Sequence, residues 1–448
     1  MKQLLAYCLS IILCVSFTGC MENYLDLYPE DKITSASFPE NESDIKLLLN
    51  GVYAQLREKE VYNQGLFGFG ITDGATPNAF NWGTDEVFNK LGAGRLSSSD
   101  GGVVTYRWKR CYEIISRANY LLACMDLVDL SEEAKAKYSG ETHFLRGLAY
   151  SVLAETYGGV PIILTNISTE EARSLKRASL EETWQQALDD YEVAITNLGV
   201  DAPEPGRATK GAALGMKMRA YLYQGKYKEV LACVEQIDAL KKYGLFHSYE
   251  GLFDPANENN KEVLFDIQYI EGENSQGSYI DQYCGTGTGS WTRGSRYVPT
   301  DDLVAAYETI DGSPVDPENP YENRDPRLGF TAVLPGSYFL GYRFPNYLYP
   351  GGAFNHAGNR LKHLSTRKYR IQDESKLPPS GQSYINDIIL RYADVLLSKA
   401  EAIIETNGNV ADAIAILNRI RTERDDVKIS LLPTSMTVSY THLTLPTT

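Results

Sequence analysis

Trp82 stands in the run NAFNWGTDEVF, with Asn78, Phe80 and Asn81 just before it, and Trp291 stands among Tyr283, Arg293 and Tyr297. An exposed indole can stack on the apolar C–H face of a sugar ring while neighbouring amides and guanidinium groups bond its hydroxyls. Both groups are therefore candidate contacts for a polar, ring-bearing ligand. The competing reading of each is a tryptophan that plugs its loop onto the body of the protein. Trp108 and Trp184 fall inside helical patterns and read as core. The chain carries 31 tyrosines, whose flat faces and polar tips suit wet recognition, although most of them are expected to fill helix seams.

Other chemistry is harder to find. His143, His247, His356 and His363 show no H-E-x-x-H or other zinc spacing and read as ordinary surface or loop histidines, while His442 lies near the C-terminus. No metal site and no cofactor are expected. The run GTGTGS at residues 285–290 lacks the lysine of a phosphate-binding loop and does not join a strand to a helix, so it reads as a binding loop. No G-x-S-x-G elbow is present. Asp301 with Asp302, or Glu271 with Glu273, could supply the two carboxylates that glycoside hydrolysis needs, but 58 acidic residues make such pairs common by chance. Of the 7 cysteines, Cys111, Cys124, Cys233 and Cys284 have no metal spacing and read as small buried hydrophobes, with a disulfide left open by export.

The elements that would position these residues are mostly helical. The stretch ETHFLRGLAYSVLAETYGGVPIIL places Leu145, Leu148, Ala149, Val152, Leu153 and Tyr157 on one stripe, stops at Gly158-Gly159 and leaves through Pro161 as a short extended segment. Helical spacing also covers residues 41–58, 103–128 and 180–198, the last opened by a Ser179 to Glu182 capping box. Residues 208–224 and 226–240 form a pair closed by Gly225, with small and aromatic spacing like that of a tetratricopeptide turn. EVLFDIQY alternates like a strand, residues 300–308 read as one short helix, residues 384–405 as a long helix with a clean apolar stripe, and residues 410–424 as the last helix. Residues 60–102, and 243–381 apart from that strand and short helix, lose their periodicity. Such long insertions in a repeat scaffold usually carry the binding surface. With 448 residues and 43% hydrophobic content the chain can bury a large core, and its net charge of −15 argues against nucleic acid or an anionic membrane face as the main partner.

Lys2 followed by an apolar run over residues 4–17 predicts a secretory signal, and Phe17-Thr18-Gly19-Cys20 resembles a bacterial lipobox with Cys20 as the lipidation site. Several stretches then resemble, in order, the SusD/RagB family of outer-membrane nutrient-binding lipoproteins: YLDLYPEDKIT, LRGLAYSVLAETYGGVPIIL, RASLEETWQQALDDYEVAITNL, GRATKGAALGMKMRAYLYQGKY, PTDDLVAAYETIDGSPV, NRDPRLGFTAVLPG and DIILRYADVLLSKAEAI. The resemblance implies a mainly α, tetratricopeptide-like scaffold with large, loop-rich, partly β insertions. It also implies a non-catalytic surface lipoprotein that binds an oligosaccharide or other nutrient and delivers it to a TonB-dependent, SusC-like outer-membrane transporter. Ligand contacts in the family lie in these loop regions but vary, so no contact residue is carried over. The expected organisation is a signal peptide at 1–19, a lipid-anchored lead-in at 20–40, the scaffold at 41–242 with a loop insertion at 60–102, a ligand-binding insertion at 243–382 and a C-terminal helix pair at 383–425. The family continues beyond that pair. Here residues 426–448 read as a shortened end, with VSYTHLTLPTT from Val438 to Thr448 looking like translated sequencing-adapter DNA. Alternative functions are a surface glycoside hydrolase and a peptide-binding helical-repeat scaffold; long aromatic insertions speak against the second.

Overall fold

The computed structural model describes residues 38–57, 73–81, 90–97, 99–271, 277–278, 280, 297–344, 364–379 and 382–433. The first helices with full bounds among the described residues are α1 (Glu42–Arg57), α2 (Val103–Cys124), α3 (Glu132–Tyr157), α4 (Thr169–Ser174), α5 (Leu180–Asn197), α6 (Lys210–Tyr223) and α7 (Tyr227–Ala239). The insertion that follows holds α8 (Asp301–Ala306) and α9 (Pro326–Thr331), and the described chain closes with α10 (Tyr392–Glu405) and α11 (Val410–Thr422). The long helices stack serially, α1 on α2, α2 on α3, α3 on α5, α5 on α6, α6 on α7, α7 on α10 and α10 on α11. Serial stacking of helix pairs is the signature of a helical-repeat scaffold.

α3 is the centre of that stack. Ser131 caps it by accepting from the Ala134 N–H, Glu132 and Glu133 complement its dipole, and it ends where Gly158 takes φ 77 and donates to the Ala154 carbonyl. The sequence shows one apolar stripe, yet the helix is buried on nearly all sides from Gly140 to Ala154, because α1, α2, α5 and α6 all pack on it. Its polar residues are consequently paired inside. Arg146 grips Asp190 of α5 through Nε and Nη2 at 3.0 and 2.7 Å and reaches Asn119 of α2 through Nη1 at 2.8 Å. His143 Nδ1 lies 2.7 Å from the same Asp190 carboxylate, so it belongs to a half-buried network and not to the open surface. Burial works against the charge on Asp190, but the His143 and Arg146 hydrogen bonds hold its carboxyl below the usual range.

Beyond α3 the chain runs out through Val160 without joining a sheet. Tyr150 Oη accepts from the Ile163 N–H at 2.7 Å and donates to the Ile163 carbonyl at 2.9 Å, so a side chain does the pinning that a neighbouring strand would do. The capping box at Ser179 and Glu182 is present, and a second one, Ser168 with Glu171, opens α4. Trp184 is buried, and Trp108 packs edge-on against Tyr157 and tilted on Tyr112. Cys111, Cys124 and Cys233 are free and buried; Cys284 lies outside the described residues.

Two readings need correction. Residues 384–391 do not extend the helix that follows them: β8 (Asp387–Arg391) pairs antiparallel with β2 (Val263–Ile267), and α10 starts at Tyr392. The stripe through Ile385, Ile388 and Ile389 fits either period over so few residues, and the strand wins because β2 offers a backbone partner. Nor does β2 alternate, since Leu264, Phe265, Asp266 and Ile267 are all buried between the scaffold and the insertion. Gly215 of α6 lets this ribbon sit on the helices: a Cβ there would meet Leu390 at 2.3 Å and Leu264 at 3.1 Å.

At the other end of the ribbon, Glu262 is fully buried. It accepts from Arg391 Nη1 at 2.8 Å and from Arg424 Nη1 and Nη2 at 2.7 and 2.8 Å. Burial opposes its charge, and the two guanidinium groups nevertheless hold its carboxyl below the ordinary range. Asp426 finishes the joint by accepting from the backbone N–H groups of Tyr249 and Glu250 and from Ser248 Oγ. A separate small core of Tyr249, Leu252, Phe253, Tyr369, Ile371, Ile385, Val427 and Ile429 underlies the insertion.

Candidate ligand-binding site

The two loop regions meet in a two-stranded antiparallel ribbon, β1 (Ala79–Asn81) with β3 (Tyr297–Pro299), in the register Ala79 to Pro299, Phe80 to Val298 and Asn81 to Tyr297. Three of the candidate contacts, Asn78, Asn81 and Tyr297, are thereby brought to one place from positions more than 200 residues apart, a juxtaposition no local pattern encodes. Trp82 follows Asn81 directly in sequence, but Trp82, Tyr283, Trp291 and Arg293, like Cys20, lie outside the described residues.

Local chemistry fixes the ribbon. The Thr300 N–H donates to the Asn78 carbonyl at 3.1 Å, and the Thr300 hydroxyl caps α8 by accepting from the Leu303 N–H at 3.1 Å while donating to the Pro77 carbonyl. One threonine thus joins the first insertion to a helix of the second. Asn78 is half-buried and donates its N–H to Thr76 Oγ1, which in turn donates to the Asp73 carbonyl. Val298 is buried while Phe80, its cross-strand partner, is 39% exposed, so the ribbon has an inner and an outer element. The inner side rests on β7 (Ser365–Thr366), which pairs with β4 (Ala332–Val333), and Tyr307 below α8 donates to Thr331 Oγ1 at 2.9 Å.

Beside this layer lies a buried charge that sequence reasoning missed. The Lys368 ammonium is buried with no hydrogen-bond acceptor among the described residues, 4.3 Å from the Phe253 ring centroid, 5.2 Å from Tyr369 and 5.7 Å from Tyr249. Burial pulls its pKa down, and burial pushes the nearby Asp73 carboxyl up to about 6 against the attraction of Lys368. Nothing in the run STRKYR marks Lys368 as internal, because burial of a lysine depends on which rings fold over it.

A second omission did have a sequence signal. In GSYFLGYRF, β5 (Tyr338–Phe339) and β6 (Tyr342–Arg343) form a hairpin whose central residues, Leu340 and Gly341, take φ of 49 and 76. An x-Gly pair between aromatic runs is the sequence cue for such a tight hairpin. It leaves the Tyr338 ring 67% exposed.

The carboxylate pairs do not assemble a reaction centre among the described residues. Asp301 and Asp302 sit exposed in the first turn of α8, where they complement the helix dipole, and Glu271 is exposed; Glu273 lies outside the described residues. Among the described residues no group of three or more His, Cys, Asp or Glu side chains is placed to hold a metal ion, and no helix is long and apolar enough to cross a membrane.

Known proteins share this arrangement. Residues 23–222 match a family described as starch-binding and associating with the outer membrane, and residues 261–425 match the SusD family. SusD-like protein P25 of Formosa agariphila is 26% identical over 94% of this chain and 81% of its own length. A SusD-like protein of Bacteroides ovatus is 24% identical over 90% of this chain and 73% of its own. Among solved structures, a SusD-like carbohydrate-binding protein from Bacteroides fragilis superposes with a TM-score of 0.76 at 26% identity, covering 87% of this chain and 80% of that one. A laminarin-binding SusD-like protein, at 20% identity and a TM-score of 0.69 over 88% of this chain and 86% of that one, shares the fold. Serial helices, the ribbon that closes on them and the two matched segments agree in order and extent: this chain belongs to the SusD/RagB family.

Proposed function

We propose that this chain captures an oligosaccharide at the cell surface and passes it to a TonB-dependent, SusC-like transporter in the outer membrane, without cleaving it. The observation that carries the reading is the β1–β3 ribbon, which gathers amide and aromatic residues of both insertions onto one support. Phe80 and Tyr338 add exposed aromatic faces, and relatives of similar sequence carry carbohydrate binding in their names. Trp82 and Trp291, with Tyr283 and Arg293, stack on and bond the sugar rings; Asn78, Asn81 and Tyr297 hold the loops that bear them. A lipid on Cys20 tethers the protein, and the helical scaffold meets the transporter.

Affinity electrophoresis and calorimetry of the intact protein against a glycan panel test the first step. Trp82→Ala is expected to weaken the best glycan about 30-fold, since removing an aromatic anchor commonly costs about 2 kcal/mol. Failure of wild-type protein to bind any glycan rejects the reading, as does release of shortened products from a bound glycan. Incorporation of labelled palmitate that Cys20→Ala abolishes, and co-purification with a transporter, test the anchor and the partner.

A further inference from the structure

A cleft of about 360 Å³ opens where α1, the turn at residues 204–207 and the end of β2 meet, and it shares no residue with the β1–β3 ribbon. Its volume is at the low end of the range of about 300 to 1,000 Å³ typical of small-molecule sites. The walls are held stiff. Arg207 bonds Asn50 Oδ1 at 2.5 Å and Glu204 at 3.2 Å through Nη2, faces Glu141 at 3.5 Å through Nη1, and lies over the Tyr53 ring at 4.9 Å. Opposite, buried Asp266 accepts from Gln268 Nε2 at 2.7 Å and from Asn386 Nδ2 at 3.0 Å. Gly206, at φ 78, brings the turn so close to Gln268 that a Cβ would meet its Cγ at 2.3 Å.

Charge decides what this cleft can take. Arg207 is already matched by Glu204 and Glu141, and Lys46 matches the other oxygen of Glu204 at 2.6 Å. An anionic ligand would have to take Arg207 or Lys46 from a carboxylate. A neutral ligand rich in hydroxyls would not, because hydroxyls donate to the remaining lone pairs of Glu204, Asp266 and the Gln268 carbonyl oxygen and accept from the Asn50 amide, while Gln268 Nε2 already donates to Asp266 and Asn259 at 2.7 and 3.0 Å. From this balance of donors and acceptors in a rigid concavity, we propose a second binding site on the scaffold for a neutral polyhydroxylated molecule of mono- or disaccharide size, independent of the ribbon.

Calorimetry on the intact protein with maltose, lactose and cellobiose, and with glucuronate as the anionic counterpart, tests it. At least one neutral disaccharide is expected to bind, and glucuronate at least about 10-fold more weakly, since its carboxylate must compete with Glu141 and Glu204 for Arg207. Ala54→Trp, which fills the cleft from α1, should lower the neutral sugar's affinity by about 10-fold or more, and Gln268→Leu by about 3-fold, the worth of one hydrogen bond. Trp82→Ala should leave it unchanged, which separates this site from the ribbon. Should Ala54→Trp fail to fold by circular dichroism, Asn50→Leu combined with Gln268→Leu takes its place. No response to any neutral sugar, a response that survives the cleft variants, or equal loss in Trp82→Ala overturns the proposal.

Discussion

Lys368 and Glu262 are buried charges of opposite standing. Glu262 has two guanidinium partners, so Glu262→Gln leaves Arg391 and Arg424 short of their counter-charge. We expect a loss of about 3 to 5 kcal/mol in denaturant unfolding, the usual result of breaking a buried pair from one side. Lys368 has rings around it and no acceptor among the described residues, so Lys368→Met keeps the packing and removes the desolvation cost. It should raise stability by about 1 to 3 kcal/mol; a fall in the denaturation midpoint would show that the ammonium holds the ribbon's support together. Neither residue was legible in the sequence. Their roles depend on partners 129 to 162 residues away for Glu262, and for Lys368 on three rings that close over it only in the fold. Asn78, Asn81 and Tyr297 were legible as types that bind polar ligands, whereas their common location was not.

At the scale of elements, helices were easiest to read, because their caps and periods are local. Ser179 with Glu182, the stop at Gly158 and the close of α6 at Gly225 all appear where the sequence puts them. Strands were read less well: β8 was absorbed into a helix, since five residues carry too little period to choose and the deciding partner is distant. The Gly158-Gly159 pair shows both kinds of information. Gly158 takes positive φ, as a helix stop should, but Gly159 is required by something the local sequence does not contain. A Cβ at 159 would come within 2.0 Å of the Ala178 carbonyl oxygen, because the chain entering α5 crosses there and the Ala178 N–H bonds the Val160 carbonyl at 3.1 Å. Backbone cannot yield as a side chain does. Gly159→Ala is therefore expected to destabilise by about 3 kcal/mol or more, against about 1 kcal/mol for an ordinary helix-end glycine, as measured by thermal and urea unfolding.

For the whole molecule, several acids of the two insertions are pushed up by burial: Asp73 and Asp266 to about 6 and Glu258 to about 7. Their folded pKa values exceed the unfolded ones near 4, so the folded state binds more protons over that window. Their contribution is complete below about pH 4 and is lost as pH rises through about 6 to 7. Asp190 and Glu262, whose values are lowered, act in the opposite sense, but only as pH falls below the ordinary carboxylate range. The melting midpoint should thus fall by a few degrees between pH 5.5 and 8; a flat or rising midpoint refutes the assignment. The ribbon has a consequence of a different kind. Because β1 and β3 complete each other's backbone, neither insertion has a finished shape of its own, although most of the scaffold helices lie between them in the chain. Specificity is then inherited as a matched pair of distant segments. A chimera that takes one insertion from a relative should bind neither parent's glycan, and one that takes both, with residues 79–81 and 297–299 from the same donor, should bind the donor's.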